Sequence, residues 1–453
     1  MNTGGATSLT STGAISDSGA INTGLLTTSS AGGTVLDFGH TVTSFNATNT
    51  GAGNVQLVNT AGTLTVTGVS QAGTGTINIS NTGNLTTSGT VNTTGAGTIT
   101  LSATDAVTLG AALGSGTAGD ITINVNTTPA GDQSFTQNAG GTITTGSTGA
   151  SAVRIVVNDG TGGAGGAALR SITTGSGGTI TVSTTGSTTV GAGNTPGGSI
   201  VDAAAGVFAL NVGTGSVILL TPTSGASSVG LAANPMETTA GMTSVTARSG
   251  SGGIFINEFD GARFNVVAGG GGTIVISSTT GTIDVAGITT TGQVTLTADS
   301  LSGGGTVTGG GGSIFSSNNT VNNLSTSISG QLILSGNGPA TDWFLTGAGA
   351  SSYQVNDPNA AVFLNAAGPV AAGVIRTVAF AATGTAISSA SAGASSSAAQ
   401  EAANQFGTDS VAEQIEFGFA GDVGTLPPMD HRLQGVGIRV PECFNQSREG
   451  EGC

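Results

Sequence analysis

Lysine is absent from this sequence, and all eight basic residues are arginine. Set against 23 acidic residues, they leave a formal net charge of -15. Phosphate neutralisation needs a basic patch and none is visible, so no nucleic-acid partner is expected. Cysteine is almost absent: Cys443 and Cys453 stand at the extreme C-terminus and no other occurs. A long cysteine-free stretch suits a polypeptide that stays unfolded and uncrosslinked during export. The two thiols either pair or remain unrelated free thiols. Charged residues make up only 7% of the chain, which excludes the usual highly charged disordered polymer. No apolar run is long enough to span a membrane, since the most apolar segment, 360–383, is broken by Asn365, Gly368-Pro369 and Arg376.

What is present is glycine, 81 residues of it, with Ser, Thr, Asn and Ala filling most of the remainder. A chain of 453 residues would ordinarily divide into about three globular domains, but 37% apolar content in so small-grained a sequence supports only thin core layers. The apolar residues are periodic. The phrase G-x-φ-x-φ places its first apolar residue at Val55, Ile77, Ile99, Ile121 and Ile143, each 22 residues after the last. It returns at Ile180, Ile274, Val294 and Ile314, the last three 20 residues apart. Blocks 142–178 and 216–253 fit either two short coils or one coil with an extruded loop.

Within a block the apolar residues alternate with polar ones, as in Leu64/Val66, Ile77/Ile79, Ile99/Leu101 and Ile121/Ile123. Period two marks a strand with one buried face. Runs of Gly, Asn and Ser separate the strands and favour turns. Three short strands per 20 to 22 residues make one coil of an all-β, parallel β-helix, expected to be right-handed because no six-residue period is found. Each coil is completed only by its neighbours, so Val55 should stack on Ile77, Ile77 on Ile99, and so on to Ile143. About 14 to 16 coils at roughly 4.8 Å each would give a rod on the order of 70 Å long.

Composition divides the chain into entry coils at 1–33, a shaft at 34–350, terminal coils and a Ser/Ala-rich linker at 351–394, and an acidic cap at 395–453. Nine of the 23 acids fall between Glu401 and Cys453. Capping-box spacings at Ser397/Gln400 and Ser410/Glu413 predict two short helices ended by Gly407 and Gly418, and 436–440 could add a last strand. Residue 1 already reads as the middle of a repeat. MNTGGATSL has neither a basic nor an apolar leader region, so the natural start is expected upstream.

Candidate chemistry is sparse. His40 and His431 are far apart, and His40 is expected on the surface. Asp284 and Asp299 have no obvious partners, so no catalytic, cofactor-binding or metal-binding residues are assigned and no enzyme is expected. Val153–Val157 followed by Gly163-x-Gly165-x-x-Ala168 imitates a dinucleotide loop, but no βαβ context follows. Two outward polar columns, Asn54/Thr76/Thr98/Asp120/Thr142 and Gln56/Asn78/Thr100/Thr122/Thr144, raise an ice-binding reading that Asp120 and Gln56 interrupt. β-propensity and solubility account for these threonines. Sequons such as Asn78-Ile79-Ser80 follow equally from composition.

The coils, with their GTITL, GDITI and GTIVIS phrases over residues 34–350, resemble the shaft of filamentous-haemagglutinin-type exoproteins secreted by the two-partner route. The resemblance implies a surface-exposed or secreted adhesin of a Gram-negative outer membrane, with an outer-membrane transporter and a host or bacterial surface receptor as partners. High-molecular-weight adhesins of that family end in a cysteine pair that holds them on the transporter. Cys443 and Cys453 resemble that placement and by this likeness would form a disulfide. One Trp and one Tyr cannot supply aromatic girdles, so a self-contained autotransporter barrel is disfavoured. The competing expectation is a carbohydrate-binding or carbohydrate-active β-helix, which a cluster of acids or aromatics on one face would favour.

Overall fold

The computed structural model describes residues 4–356 except 129–130, 159–162, 189–196, 205, 207–209 and 337–340, together with Ala361–Asn365, Val374–Val378 and Ala386–Ser388. Among these residues there is no helix, and the strands form a parallel β-solenoid of about 15 turns, with Val374–Val378 and Ala386–Ser388 pairing antiparallel at its far end. The expected cap at 395–453, with its two short helices, last strand and both cysteines, lies outside the described residues.

A regular coil carries three strands, as in Ile99–Ala103, Val107–Leu109 and Leu113–Ser115, all with the alternating burial that their sequence dictates. Each pairs in parallel with its counterparts one coil before and after. On the first face Val55 stacks on Ile77, Ile77 on Ile99, and Ile99 on Ile121, as the 22-residue period requires. The second face stacks Leu85, Val107 and Phe135, and the third stacks Val69, Val91 and Leu113. All of these side chains are buried in one continuous column. Each aliphatic member contributes about 1.5–3 kcal/mol of transfer energy, and a coil gains it only from its neighbours.

The expected ladder breaks at its last member. Ile121 stacks on Val153, while Ile143 is buried on the third face between Leu113 and Ile172. Residues 126–134 lengthen the coil that begins at Ile121, so the 22-residue step from Ile121 ends on a different face. The outward columns shift accordingly: Thr122 is followed by Arg154, and Thr144 belongs with Gly114 and Thr173. Neither enlarged block is two short coils: Ile143 pairs directly with Ile172 and Val217 with Val245, so each block holds one lengthened coil and the start of the next.

Glycine makes one corner of the coil thin enough to stack. Gly53, Gly75, Gly97 and Gly119 follow one another at 22 residues, and a Cβ on Gly97 would lie 2.0 Å from the carbonyl oxygen of Gly75. The carbonyls of this corner are met from inside. Asn49, Gln71, Thr93, Ser115 and Thr145 form an inward polar column, with Asn49 Nδ2 donating to Gln71 Oε1 at 2.8 Å. Ser115 Oγ donates to the Gly97 carbonyl at 2.9 Å and Thr145 Oγ1 to that of Gly119 at 2.6 Å. Buried polar groups are thereby satisfied where the apolar alternation ends.

A second inward polar column starts with His40, which pairs in register with Asn59, and Asn59 with Asn81. Asn59 Nδ2 donates to Asn81 Oδ1 at 2.8 Å. The surface placement expected for His40 is therefore wrong: it is 0% exposed. Its Nδ1 accepts the Ile21 N–H at 2.9 Å, and its Nε2 approaches Asp17 Oδ2 to 2.8 Å, off the line of a hydrogen bond. The alternation misled here because His40 sits at a corner, where an inward polar residue is needed to hold the preceding coil.

Candidate functional site

A uniform rod has no preferred place to bind anything, so the departures from uniformity locate the candidate site. Between the first and second faces the connection is 104–106 in the regular coil. In the four coils that follow it becomes 126–134, 158–166, 184–199 and 221–227, and then returns to 250–252. The flanking strands stay in register throughout, so the added residues all enter at one corner of successive coils. Loops set side by side on a rigid scaffold are the usual way a solenoid makes a recognition surface.

The bases of these connections are locked from within. Asn126 and Asn158 both have left-handed backbone, with φ of 55° and 65°, which a short amide side chain tolerates. Asn126 Nδ2 donates to Asn158 Oδ1 and to the Gly131 carbonyl, each at 2.7 Å. Asn158 Nδ2 passes the chain on to the carbonyls of Thr184 at 2.8 Å and Gly165 at 3.1 Å. Further out, Asp132 Oδ1 accepts the Ala164 N–H at 3.1 Å, and Ser227 Oγ donates to the Pro222 carbonyl at 2.7 Å. Thr128, Asp132, Gln133, Ala164 and 224–226 are exposed. The resulting surface is mostly uncharged and polar.

The stretch that imitated a dinucleotide loop belongs to this corner. Val153–Val157 is a coil strand on the first face, and it leads into Ala167–Leu169, a strand on the second.

The titratable groups are dispersed over other parts of the shaft. Asp202 is buried in the inward column that carries Leu169 one coil earlier. Burial pushes its carboxyl up to about 6, a hydrogen bond from the Ala204 N–H opposes this, Glu237 adds to it and Arg170 subtracts. Farther along, the Glu258 carboxyl is also pushed up by burial, against hydrogen bonds from Gly261 and Asp260. Asp284 faces Arg263 at 3.9 Å on the surface, and Asp299 Oδ1 accepts Asn318 Nδ2 at 2.5 Å, so both have the partners that sequence reading did not find. His431 lies outside the described residues. Among the described residues no three of His, Cys, Asp and Glu come together as a metal site.

Sequence reading missed Asn126, Asn158, Asp202, Glu237 and Glu258. The polar columns did leave a signal, in the 22-residue spacing of Asn49, Gln71, Thr93 and Ser115 and of Asn59 and Asn81. Comparison with family models, with curated proteins and with solved structures found no match for the chain.

Proposed function

We propose that the chain is a non-catalytic structural adhesin of the bacterial surface, a stiff shaft that presents the loop-bearing corner to a receptor on host cells or other bacteria. The observation that carries this reading is that in four successive coils the first-face strands end at Val125, Val157, Ser183 and Leu220 and the second-face strands resume only at Phe135, Ala167, Ile200 and Ser228, whereas three-residue turns at 104–106 and 250–252 suffice on either side. Export by an outer-membrane transporter of the two-partner kind, with Cys443 and Cys453 closing a loop that keeps the C-terminus on that transporter, completes the proposal.

The corner is tested by replacing the four connections with the Thr104-Asp105-Ala106 turn. Beads coated with the parent chain should adhere to a panel of epithelial and bacterial cells, and beads coated with the trimmed chain, shown by thermal melting to remain cooperatively folded, should not. Equal adherence of the two would overturn the assignment. The tether is tested separately by Cys443→Ser with Cys453→Ser, which should move protein from the cell surface to the medium at constant total yield. Retention on the surface would remove that element of the proposal. The competing carbohydrate-active reading predicts new reducing ends or unsaturated products from pectins, glucans or glycosaminoglycans, and none is expected.

A further inference from the structure

Among the described residues seven side chains carry a buried polar atom without a hydrogen-bond partner, and four of them are Asp202, Thr238, Arg248 and Glu258, of which Arg248 is only half-buried. These four lie within the last two enlarged coils and the regular coil that follows. In earlier coils the inward polar groups are joined in columns, as at Asn49/Gln71 and Asn59/Asn81. The deficit is therefore concentrated here, the other three atoms being single ones on His40, Asn126 and Trp343.

Both acids of the group point into the solenoid. Asp202 is 4% exposed, its Oδ1 accepts the Ala204 N–H at 2.6 Å and its Oδ2 has no partner. Glu258 is 0% exposed; its Oε2 accepts the Gly261 N–H and, at 3.3 Å, the Ser278 hydroxyl, while its Oε1 has no partner. Thr238, also fully buried, follows Glu237 just as Glu258 follows Asn257, and Glu237 and Asn257 pair in register. The charged groups around these acids compensate poorly. Glu237 and Arg170 act on Asp202, and Asp260 acts on Glu258. Two of these three are themselves acidic.

We propose that Asp202 and Glu258 make their stretch of the shaft a proton-controlled joint, closed while both hold their protons and loosened when they ionise. A neutral carboxyl leaves a modest polar group in the core, whereas a carboxylate with a bare oxygen carries the full desolvation penalty of a charge. Opening the coil to water relieves that penalty. The direction of the pH effect follows from the raised carboxyls. Asp202 titrates at about 6 in the folded chain against 3.8 as a free side chain, so across that window the native state holds the extra proton. Local stability is then greatest in acid and is lost as pH rises from about 4 through about 6.

Hydrogen exchange of the full chain at pH 4.5 and 7.5, corrected for intrinsic chemical exchange, tests the proposal. Peptides within 200–260 should lose about tenfold or more of their protection at the higher pH, within the roughly hundredfold that a two-unit displacement allows, while peptides within 55–125 should not change. Asp202→Asn with Glu258→Gln should abolish the difference. If that pair does not fold, Asp202→Asn alone should reduce it. No pH effect in the parent, the same effect along the whole shaft, or an effect that persists in full in the variants would overturn the joint.

Discussion

Asn126 and Asn158 stand one coil apart on the loop-bearing corner, both in left-handed backbone, with the amide of the first donating to the carbonyl of the second across 2.7 Å. Asn158→Ala removes that acceptor and both donations to Thr184 and Gly165, and it places a β-carbon in an unfavourable backbone region. A loss of about 2–4 kcal/mol in urea unfolding is expected. Asn158→Gly keeps the backbone free and should lose less. Identical losses would show that the left-handed backbone contributes nothing.

The glycine corner gives a contrast within one residue type. Gly97→Ala would drive a methyl into the Gly75 carbonyl, whereas Gly62 has nothing within 4 Å of its absent Cβ. The first change should push adjacent coils apart and cost several kcal/mol, on the order of an overpacked core site, and the second should stay within about 0.5 kcal/mol. Paired melting curves that coincide would refute the stacking assigned to that corner.

On the first face, Ile99 is buried and its neighbour Thr100 points outward. Ile99→Asp forfeits about 1.5–3 kcal/mol of transfer energy and adds the desolvation of a charge, while Thr100→Asp keeps its carboxylate in water. A large drop in melting temperature is expected for the first alone.

Near the N-terminal end, His40 accepts the Ile21 N–H and faces Asp17, whose carboxylate also accepts the Phe38 N–H at 3.2 Å. His40→Ala leaves a buried amide without its acceptor and should weaken the first coil by about 1–3 kcal/mol. Faster hydrogen exchange confined to residues 4–22 is the expected readout. Unaltered exchange there would mean that the contact holds nothing.

Sequence periodicity carried the architecture because a solenoid's rule is local: an inward aliphatic every second residue, repeated at each coil. Val55, Ile77, Ile99 and Ile121 obey that rule, and their stacking was legible. Ile143 obeys the same spacing and still lies on another face, because a spacing counts residues and cannot tell a strand from the lengthened connection at 126–134. The same insertion hid the candidate site, since long connections read as interrupted repeats. The inward placement of His40, Asp202 and Glu258 was illegible for another reason. At a corner the backbone leaves the pleat, so alternation no longer says which way a polar side chain faces.

The far end of the described shaft differs from all that precedes it. Trp343–Val355 pairs in parallel with Ala361–Asn365, but Val374–Val378 lies antiparallel on the latter and Ala386–Ser388 antiparallel on the former. A coil can template another only when the incoming strand runs in its own direction, because only then do its corners, inward residues and glycines fall in step. A reversed strand fills the open hydrogen-bonding edge while offering the wrong polarity to anything beyond it. Where these strands lie, the fold therefore terminates its own propagation, and two such rods meeting at this end cannot fuse into one longer fibre by simple continuation.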